Sequence, residues 1–238
     1  MSWRTYWEGE ASVYVNARHK AAHYRHLSDD LLQIAAGLGQ RLDTVTMLDF
    51  GCGEALSADR IAARIGHLTL MDASSRVRDG LVRRFGGDRG ITILDADGVA
   101  ALAAGTFDLI VVNSVLQYVA PEEASALLAS LARLLKPGGR LLVADVLPPD
   151  LGVVTDAREL IAFAARERFL AAALAGLVRT AVSDYARVRA QVGLNRYSVT
   201  AFKGLAREAG LLAEPLHRNI GHNPHRLAFL LRRADAPS

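Results

Sequence analysis

The residues best suited to chemistry lie in a stretch of small and acidic side chains that begins at Asp49. Two glycines, Gly51 and Gly53, follow a short apolar run there and precede an amphipathic segment. A Gly-rich turn between a strand and a helix lets the backbone approach a nucleotide-like ligand closely. A second apolar run, residues 67–71, ends in Asp72, and an acid at that position accepts both hydroxyls of a ribose. The pattern predicts a nucleoside-containing cofactor.

These residues must be positioned by the alternating strands and helices around them. Strands are predicted at Val45–Phe50, His67–Asp72, Ile91–Asp95, Phe107–Asn113 and Arg140–Val146, with helices at Leu56–Ile65, Ser75–Phe85 and Glu122–Leu135. The strands are rich in β-branched residues and Leu without clean alternation, which is typical of parallel strands covered on both faces. The pattern therefore predicts an α/β, doubly wound, mainly parallel sheet.

Further elements flank this alternating core on both sides. Helices are predicted at Asn16–Leu38, at Thr155–Val192 with a break at Gly176, and at Ser198–Ala209, and two apolar runs at Leu211–Ile220 and Arg226–Leu231 predict an antiparallel hairpin. The helical insert after the fifth strand has no place in the sheet itself. We expect it over the carboxyl ends of the strands, where ligands bind in such folds.

Composition limits the classes of protein that fit this chain of 238 residues. The net charge is +3 and the Arg residues are scattered, which favours solvated helix surfaces and no nucleic-acid partner. A lone cysteine, Cys52, excludes an internal disulfide and fits a reducing compartment. The first residues lack an apolar signal-peptide core, and no apolar run approaches the roughly 18 residues of a membrane span. We therefore expect a cytoplasmic protein without a transmembrane segment.

The side chains around the turn discriminate between nucleoside cofactors. A dinucleotide-binding turn needs a third glycine where this chain has Leu56, and the carboxylate of Glu54 would repel a pyrophosphate. The Glu54 carboxylate is compatible with a bound amino-acid moiety. The position of the Asp49 carboxylate would suit an ammonium group facing it. These features argue against a nicotinamide-dependent oxidoreductase and favour S-adenosylmethionine.

Five segments in order then resemble the motifs of the class I S-adenosylmethionine-dependent methyltransferases. They are Asp49-x-Gly51-x-Gly53, the acid Asp72, Leu94-Asp95-Ala96, Phe107 to Val119, and Leu134 to Leu141, and together they span Val45 to Val146. The resemblance implies a seven-stranded sheet of order 3-2-1-4-5-7-6 with the last strand antiparallel. The family often has glycine at position 55, where we expect Ala55 to be accommodated at negative φ.

The resemblance also implies roles for individual residues. It assigns cofactor binding to Asp49, Gly51, Cys52, Gly53, Asp72, Ala73, Asp95, Ala96, Asn113 and Ser114. Asp49 would orient the amino group, Asp72 the ribose and Asp95 the adenine, although Asp97 is an alternative to Asp95. S-adenosyl-L-methionine is the expected cofactor, and no spacing of the histidines indicates a metal site.

The acceptor side of the reaction carries no motif. If the acceptor is a hydroxyl or an ammonium, a base must take its proton. Tyr14 and His19 are the candidate catalytic residues, with His23 and His222 as alternatives, and Gln117 and Tyr197 are candidate substrate contacts.

The predicted organisation is an N-terminal helical lid at residues 1–44 and a methyltransferase domain at 45–238, with a helical substrate cap at about 150–195. The predicted function is methyl transfer to an O, N or C atom of a small-molecule or lipid-like metabolite. The alternative is a non-catalytic S-adenosylmethionine-binding regulatory or partner protein. The apolar insert also predicts a homodimer formed through it.

Overall fold

The computed structural model describes residues 14–181 and 193–234 of the chain. Its strands are β1 (Thr46–Phe50), β2 (His67–Met71), β3 (Ile91–Leu94), β4 (Phe107–Asn113), β5 (Leu135–Val146), β6 (Leu211–Pro215) and β7 (Leu227–Arg233). Its helices are α1 (Ala17–Ala36), α2 (Ala58–Ala62), α3 (Ser75–Phe85), α4 (Ala96–Ala100), α5 (Pro121–Arg133), α6 (Val153–Arg166), α7 (Leu170–Ala181) and α8 (Val199–Glu208). Short 3-10 turns lie at Leu42–Thr44 and Leu116–Tyr118.

The described strands form one seven-stranded sheet in the order β3-β2-β1-β4-β5-β7-β6. The pairs among β1 to β5 are parallel, whereas β7 runs antiparallel to both β5 and β6. This confirms the predicted fold class and strand order. The late hairpin is confirmed too, but β6 ends at Pro215, so its connection to β7 is the long segment 216–226.

The central strands are covered on both faces, as their continuous apolar sequences predict. Adjacent residues on β1 show this clearly, because Met47 and Leu48 are both fully buried but belong to different apolar clusters. On the side of Leu48, Phe202 of α8 stacks on Phe229 of β7 with ring centroids 4.0 Å apart. The hairpin is therefore anchored to the same core as the parallel strands.

Several local signals in the sequence coincide with observed helix ends. Pro121 begins α5, and the Ser198 side chain caps α8 by accepting a hydrogen bond from the Ala201 N–H. Gly210, at φ +72°, follows the end of α8. Within the described ranges, no helix has the length and apolar character needed to cross a membrane.

Two predicted helices differ from the observed ones. The helix after β1 is much shorter than Leu56–Ile65, because the Gly-rich turn continues almost to Ala58. The insert breaks at Arg168, which has φ +60°, and not at Gly176, which lies inside α7. Gly176 is needed for another reason, since a Cβ there would lie 2.2 Å from Cγ1 of Val15. The end of the predicted insert helix lies outside the described residues.

The N-terminal helix and the insert meet each other at the carboxyl ends of the strands. Glu167, just after α6, receives hydrogen bonds from Arg18 on its carbonyl and from Arg25 on its carboxylate, at 2.7 and 2.6 Å. Asp156 of α6 accepts from Arg226, near the start of β7, at 3.2 Å. These contacts place α6 beside α1 and beside the end of the 216–226 segment. That the insert caps the substrate stays a prediction.

Candidate active site

The Gly-rich turn after β1 has the backbone that its two glycines allow. Gly51 and Gly53 have φ values of +77° and +58°. A Cβ at Gly51 would lie 2.4 Å from Cγ2 of Val115, so the turn passes tightly against the segment after β4. The Gly51 and Cys52 N–H groups both donate to the carbonyl of Met71, which ties the turn to the end of β2. Cys52 is a buried free thiol.

Asp72 locks the same turn through its side chain. One carboxylate oxygen accepts from the Gly53 N–H and the other from the Ser74 N–H, each at 2.9 Å. The N-cap of α3 is Ser74, whose hydroxyl accepts from the Val77 N–H. Asp72 is thus placed between the turn and the start of α3, beside the predicted position of the ribose.

Asp49 lies at the carboxyl end of β1 with a strongly perturbed carboxyl group. Desolvation by burial, with a smaller contribution from the charge of Asp72, raises the pKa of Asp49 to about 7. Within residues 14–181 and 193–234, Asp49 forms no ion pair. A positively charged group bound here would favour its ionised form.

Side chains of α1 bind the neighbouring part of the turn. Lys20 pairs with the Glu54 carboxylate at 2.6 Å, and the Tyr24 hydroxyl accepts from the Glu54 N–H at 3.0 Å. The expectation for Ala55 was wrong, because its φ is +42°. Its side chain is buried, so the strained backbone is retained by packing of the turn against α1 and α2.

The candidate adenine residues lie at the carboxyl end of β3. Asp95 is the N-cap of α4, and its carboxylate accepts from the Gly98 N–H at 2.8 Å. Ala73, Ala96 and Asp97 are exposed beside it, as is Asp95 itself. Both acids are therefore accessible, and the choice between Asp95 and Asp97 stays open.

The ends of β4 and β5 are joined by two residues with unusual backbones. Ser114, which follows Asn113, has φ +58°, and Asp145 has φ +61°. The Ser114 hydroxyl donates to the Asp145 carboxylate at 2.6 Å, and Arg226 donates to the same oxygen at 2.6 Å. Two linked non-glycine outliers at strand ends are the kind of strain that clusters at functional sites.

Above these strand ends lies a set of rings that we call the histidine–aromatic cluster. Its members are Tyr14, His19, His23, Phe163, Phe169 and His222. His19 stacks on Phe169 at 5.0 Å, and His222 stacks on Phe163 at 4.9 Å. The centroid of the His222 ring lies 5.7 Å from that of His23. The cluster thus joins α1, the insert and the 216–226 segment.

Burial controls the ionisation of the cluster. Desolvation, reinforced by His23, lowers the pKa of His19 to about 4. The pKa of His23 is lowered to about 4 by desolvation first and then by His222, and that of His222 is lowered to about 4 mainly by desolvation. Burial raises the pKa of Tyr14 to about 12. All four rings are therefore neutral near pH 7.

Several of the predicted site residues fall into three sets, of which the structure brings the first two together. The first surrounds the turn with Asp49, Gly51, Cys52, Gly53 and Asp72, and the second is the cluster that contains Tyr14 and His19. The third is Gln117 and Tyr197, which are buried and leave the Gln117 Oε1 and the Tyr197 hydroxyl without a hydrogen-bond partner among the described residues.

Two residues of this region were missed by sequence reasoning. Asp145 lies one residue before the end of a predicted strand, so its position near the strand end was an available signal. Tyr24 had none, because its hydroxyl reaches the turn only after α1 folds against it. Within the described part of the chain, no group of three or more His, Cys, Asp or Glu residues is arranged to hold a metal ion.

The described sheet and the Gly-rich turn together define a doubly wound α/β domain. Residues 48–143 match the family model described as a methyltransferase domain. An uncharacterized methyltransferase of Mycobacterium tuberculosis is 36% identical over 124 residues, which cover 52% of this chain and 59% of the relative. The matched part thus spans about three fifths of that relative's length.

Two further comparisons extend over most of the chain. Carboxy-S-adenosyl-L-methionine synthase of Dichelobacter nodosus is 28% identical, over 83% of this chain and 87% of that protein. The crystal structure of magnesium protoporphyrin IX methyltransferase from Synechocystis PCC 6803 with bound SAH has the same fold, with a TM-score of 0.60 and 18% identity over 97% of this chain and 92% of that one. Residues 48–143 thus match a methyltransferase domain, and the described chain has the fold of a solved methyltransferase.

Proposed function

We propose that this protein uses S-adenosyl-L-methionine to methylate an O, N or C atom of a small-molecule or lipid-like metabolite. One observation carries the proposal. Asp49 and Asp72 lie close enough for the charge of one to raise the pKa of the other, at the ends of adjacent strands beside the Gly-rich turn. This pair suits a ligand with an ammonium group and a ribose diol, which are parts of this cofactor.

The residues around the turn have distinct tasks in this proposal. Asp49 pairs with the ammonium group, while Asp72 accepts the ribose hydroxyls and keeps Gly53 in place. Asp95, with Ala96 and Ala73 beside it, faces the adenine. Asn113 and Ser114 approach the reacting end from β4, next to the turn that Gly51 brings against Val115.

The bound cofactor supplies an electrophilic methyl group on a sulfonium, which is already a good leaving group. The chain must therefore position the acceptor atom in line and exclude water. The histidine–aromatic cluster suits that task because it is largely buried and lies above the ends of β4 and β5. Tyr14 and His19 contact the acceptor there, and Gln117 and Tyr197 are further substrate contacts.

The first test is a calorimetric titration with S-adenosylhomocysteine, with NAD as the comparison ligand. We expect micromolar binding of S-adenosylhomocysteine and none of NAD. Asp72→Ala should weaken the binding about 100-fold, because two hydrogen bonds to a charged group are lost. Asp79→Ala, an exposed position on α3, is the matched control and should bind normally. Unchanged affinity in Asp72→Ala would refute the ribose assignment.

Catalysis needs a separate test. Purified protein, labelled S-adenosylmethionine and a metabolite extract should together yield a labelled small molecule. If the cofactor binds but no methyl group is transferred, the alternative of a non-catalytic regulatory or partner protein is favoured.

The predictions of a cytoplasmic location and of a homodimer through the insert remain part of the proposal. Leu170 and Leu174 of α7 support the second, because they are 40% and 50% exposed on one face of that helix. Analytical ultracentrifugation of the wild-type protein and of Leu174→Asp tests it, and a monomeric wild type would contradict it.

A further inference from the structure

The histidine–aromatic cluster contains a polar atom that the fold does not satisfy. His19 is only 4% exposed, and its Nε2 has no hydrogen-bond partner among the described residues. A buried polar atom in this state is destabilising, so it needs an explanation. The neighbouring His23 leaves its Nδ1 in the same condition.

The other nitrogen of His19 determines what the unsatisfied atom is. Nδ1 accepts a hydrogen bond from the Val15 backbone N–H at 3.3 Å. An amide N–H can only donate, so Nδ1 must carry the lone pair. Burial keeps the pKa of His19 at about 4, so the ring is neutral near pH 7 and its one proton lies on Nε2. The unsatisfied atom is therefore a hydrogen-bond donor.

This tautomer limits the catalytic role that His19 can have. Nε2 has no lone pair with which to take a proton from an acceptor, and the lone pair of Nδ1 is engaged by Val15. His19 is therefore suited to hold an oxygen atom and not to act as the general base. Among the alternatives, His23 and His222 remain for that role.

The surroundings favour an uncharged oxygen on a flat ring. Asp145 places a negative charge near Tyr14, His23 and His222, all of which it affects electrostatically. The Arg226 guanidinium is bound to Asp145 and Asp156. The Nζ of Lys20 lies 5.6 Å from the centroid of the Tyr14 ring and is paired with Glu54. An anionic group bound in this region would have to compete with these carboxylates for a cation. The walls are aromatic, with Phe169 stacked on His19.

We infer that His19 is a specificity-determining residue whose Nε2–H holds an uncharged carbonyl or phenolic oxygen of an aromatic acceptor. The inference rests on the proposed function only in calling the occupant the methyl acceptor. The donor assignment itself rests on the hydrogen bond from Val15 and on the burial of Nε2.

The test uses NMR of the full chain labelled with ¹⁵N-histidine, with acetophenone as the probe and benzoate as its charged counterpart. The His19 Nε2 should show the shift of a protonated nitrogen, and acetophenone should move it more than benzoate does. In His19→Phe, the acetophenone dissociation constant should rise fivefold to tenfold, about the value of one hydrogen bond. In His19→Gln, whose amide can donate but cannot act as a base, it should rise less than about threefold.

Three results would overturn the inference: a proton on Nδ1, tighter binding of benzoate, or acetophenone binding that is absent or is unaffected by His19→Phe. The last is also the result expected if a buried water satisfies Nε2. Thermal unfolding shows whether each variant folds, and the wild-type shifts remain informative if His19→Phe does not. Titration of the wild type with S-adenosylhomocysteine tests the proposed function separately, because its failure leaves the donor assignment intact.

Discussion

The two halves of the candidate site are built in different ways. The proposed cofactor half consists of a turn and strand ends that follow one another along the sequence, from Asp49 to Ser114. The proposed acceptor half consists of side chains from segments far apart in the sequence, including those of His19 and His222, whose ring centroids lie 6.0 Å apart. The first half uses backbone geometry and acids, and the second uses neutral rings. A cofactor of constant structure can be bound by a local motif, whereas an acceptor is bound by whichever segments the fold brings over it.

The electrostatic difference between the halves follows the same division. Burial raises the pKa of Asp49 to about 7 in the cofactor half and lowers the pKa of His19 to about 4 in the acceptor half. In both cases desolvation disfavours the charged form of the side chain. Only Asp49 has a proposed ligand, a cation, that would offset this cost. The pH dependence of ligand binding can therefore reveal whether Asp49 faces a cationic group.

The largest effect is expected from Gly51→Ala in the cofactor half. The new Cβ would lie 2.4 Å from Val115 at a φ of +77°, so the variant should lose about 3 kcal/mol of stability and bind S-adenosylhomocysteine poorly. Gly39→Ala is the matched control, because Gly39 has φ +81° and open space around its Cβ position. Denaturant unfolding compares the two, and equal losses would show that the close contact with Val115 is unimportant.

A substitution in the acceptor half should leave the other half intact. In Gly176→Ala the new Cβ would meet Val15 at 2.2 Å, so we expect a loss of about 2 kcal/mol. Affinity for S-adenosylhomocysteine should stay within about twofold of wild type. Gly204→Ala, which has open space in α8, should instead stabilise the protein by roughly 0.5–1 kcal/mol. A parallel loss of cofactor affinity in Gly176→Ala would mean that the two halves are coupled.

The pH dependence of cofactor affinity should report Asp49. An ammonium ligand favours the ionised carboxylate, which is present above the pKa of about 7 and is lost below it. Affinity for S-adenosylhomocysteine should therefore fall about tenfold between pH 8 and pH 6. Asp49→Asn should bind weakly at both values, and calorimetry at constant ionic strength measures the difference. A flat profile in the wild type would remove Asp49 from the ammonium site.

The smallest effect concerns stability in acid. His23 has a pKa of about 4 in the folded chain, below the ordinary value of 6.5, because of desolvation and the nearby His222. The unfolded chain then binds more protons between these values, so stability is full above pH 6.5 and falls as the pH drops toward 4. The loss at pH 5 should be about 1–2 kcal/mol for this residue, and His23→Phe should reduce it.

Exposed His217 provides the control for that measurement. His217→Phe should leave the acid dependence of the unfolding free energy unchanged, because its ring is not buried in the folded chain. If His23→Phe and His217→Phe show the same acid dependence as the wild type, burial of the cluster does not govern acid stability.

The cofactor half was largely predictable because its signals are local. The positive φ values of Gly51 and Gly53 and the strand-end position of Asp72 agree with the pattern read along the chain, and the seven-strand order agrees with what the family resemblance implied. Apolar runs bounded by Gly, Pro and acidic residues are enough to define strands, turns and helix starts. The assigned roles of these residues in binding stay predictions.

Other local features were not predictable because neighbours in space decide them. Ala55 has positive φ although alanine disfavours it, and packing in the cluster around the turn retains it. Gly176 resembled a helix break but serves the close approach of α7 to Val15. The actual break falls at Arg168, a residue with no breaking tendency of its own.

The sequence by itself determined the sheet, the Gly-rich turn and the acids that surround it, because hydrophobic periodicity and backbone preference act over a few residues. Only the tertiary structure decided which rings meet over the strand ends, that Tyr24 holds Glu54, and that Val15 sets the tautomer of His19. Those contacts join residues from separate elements. Their energies depend on burial and direction, which exist only once α1, the insert and the 216–226 segment pack together.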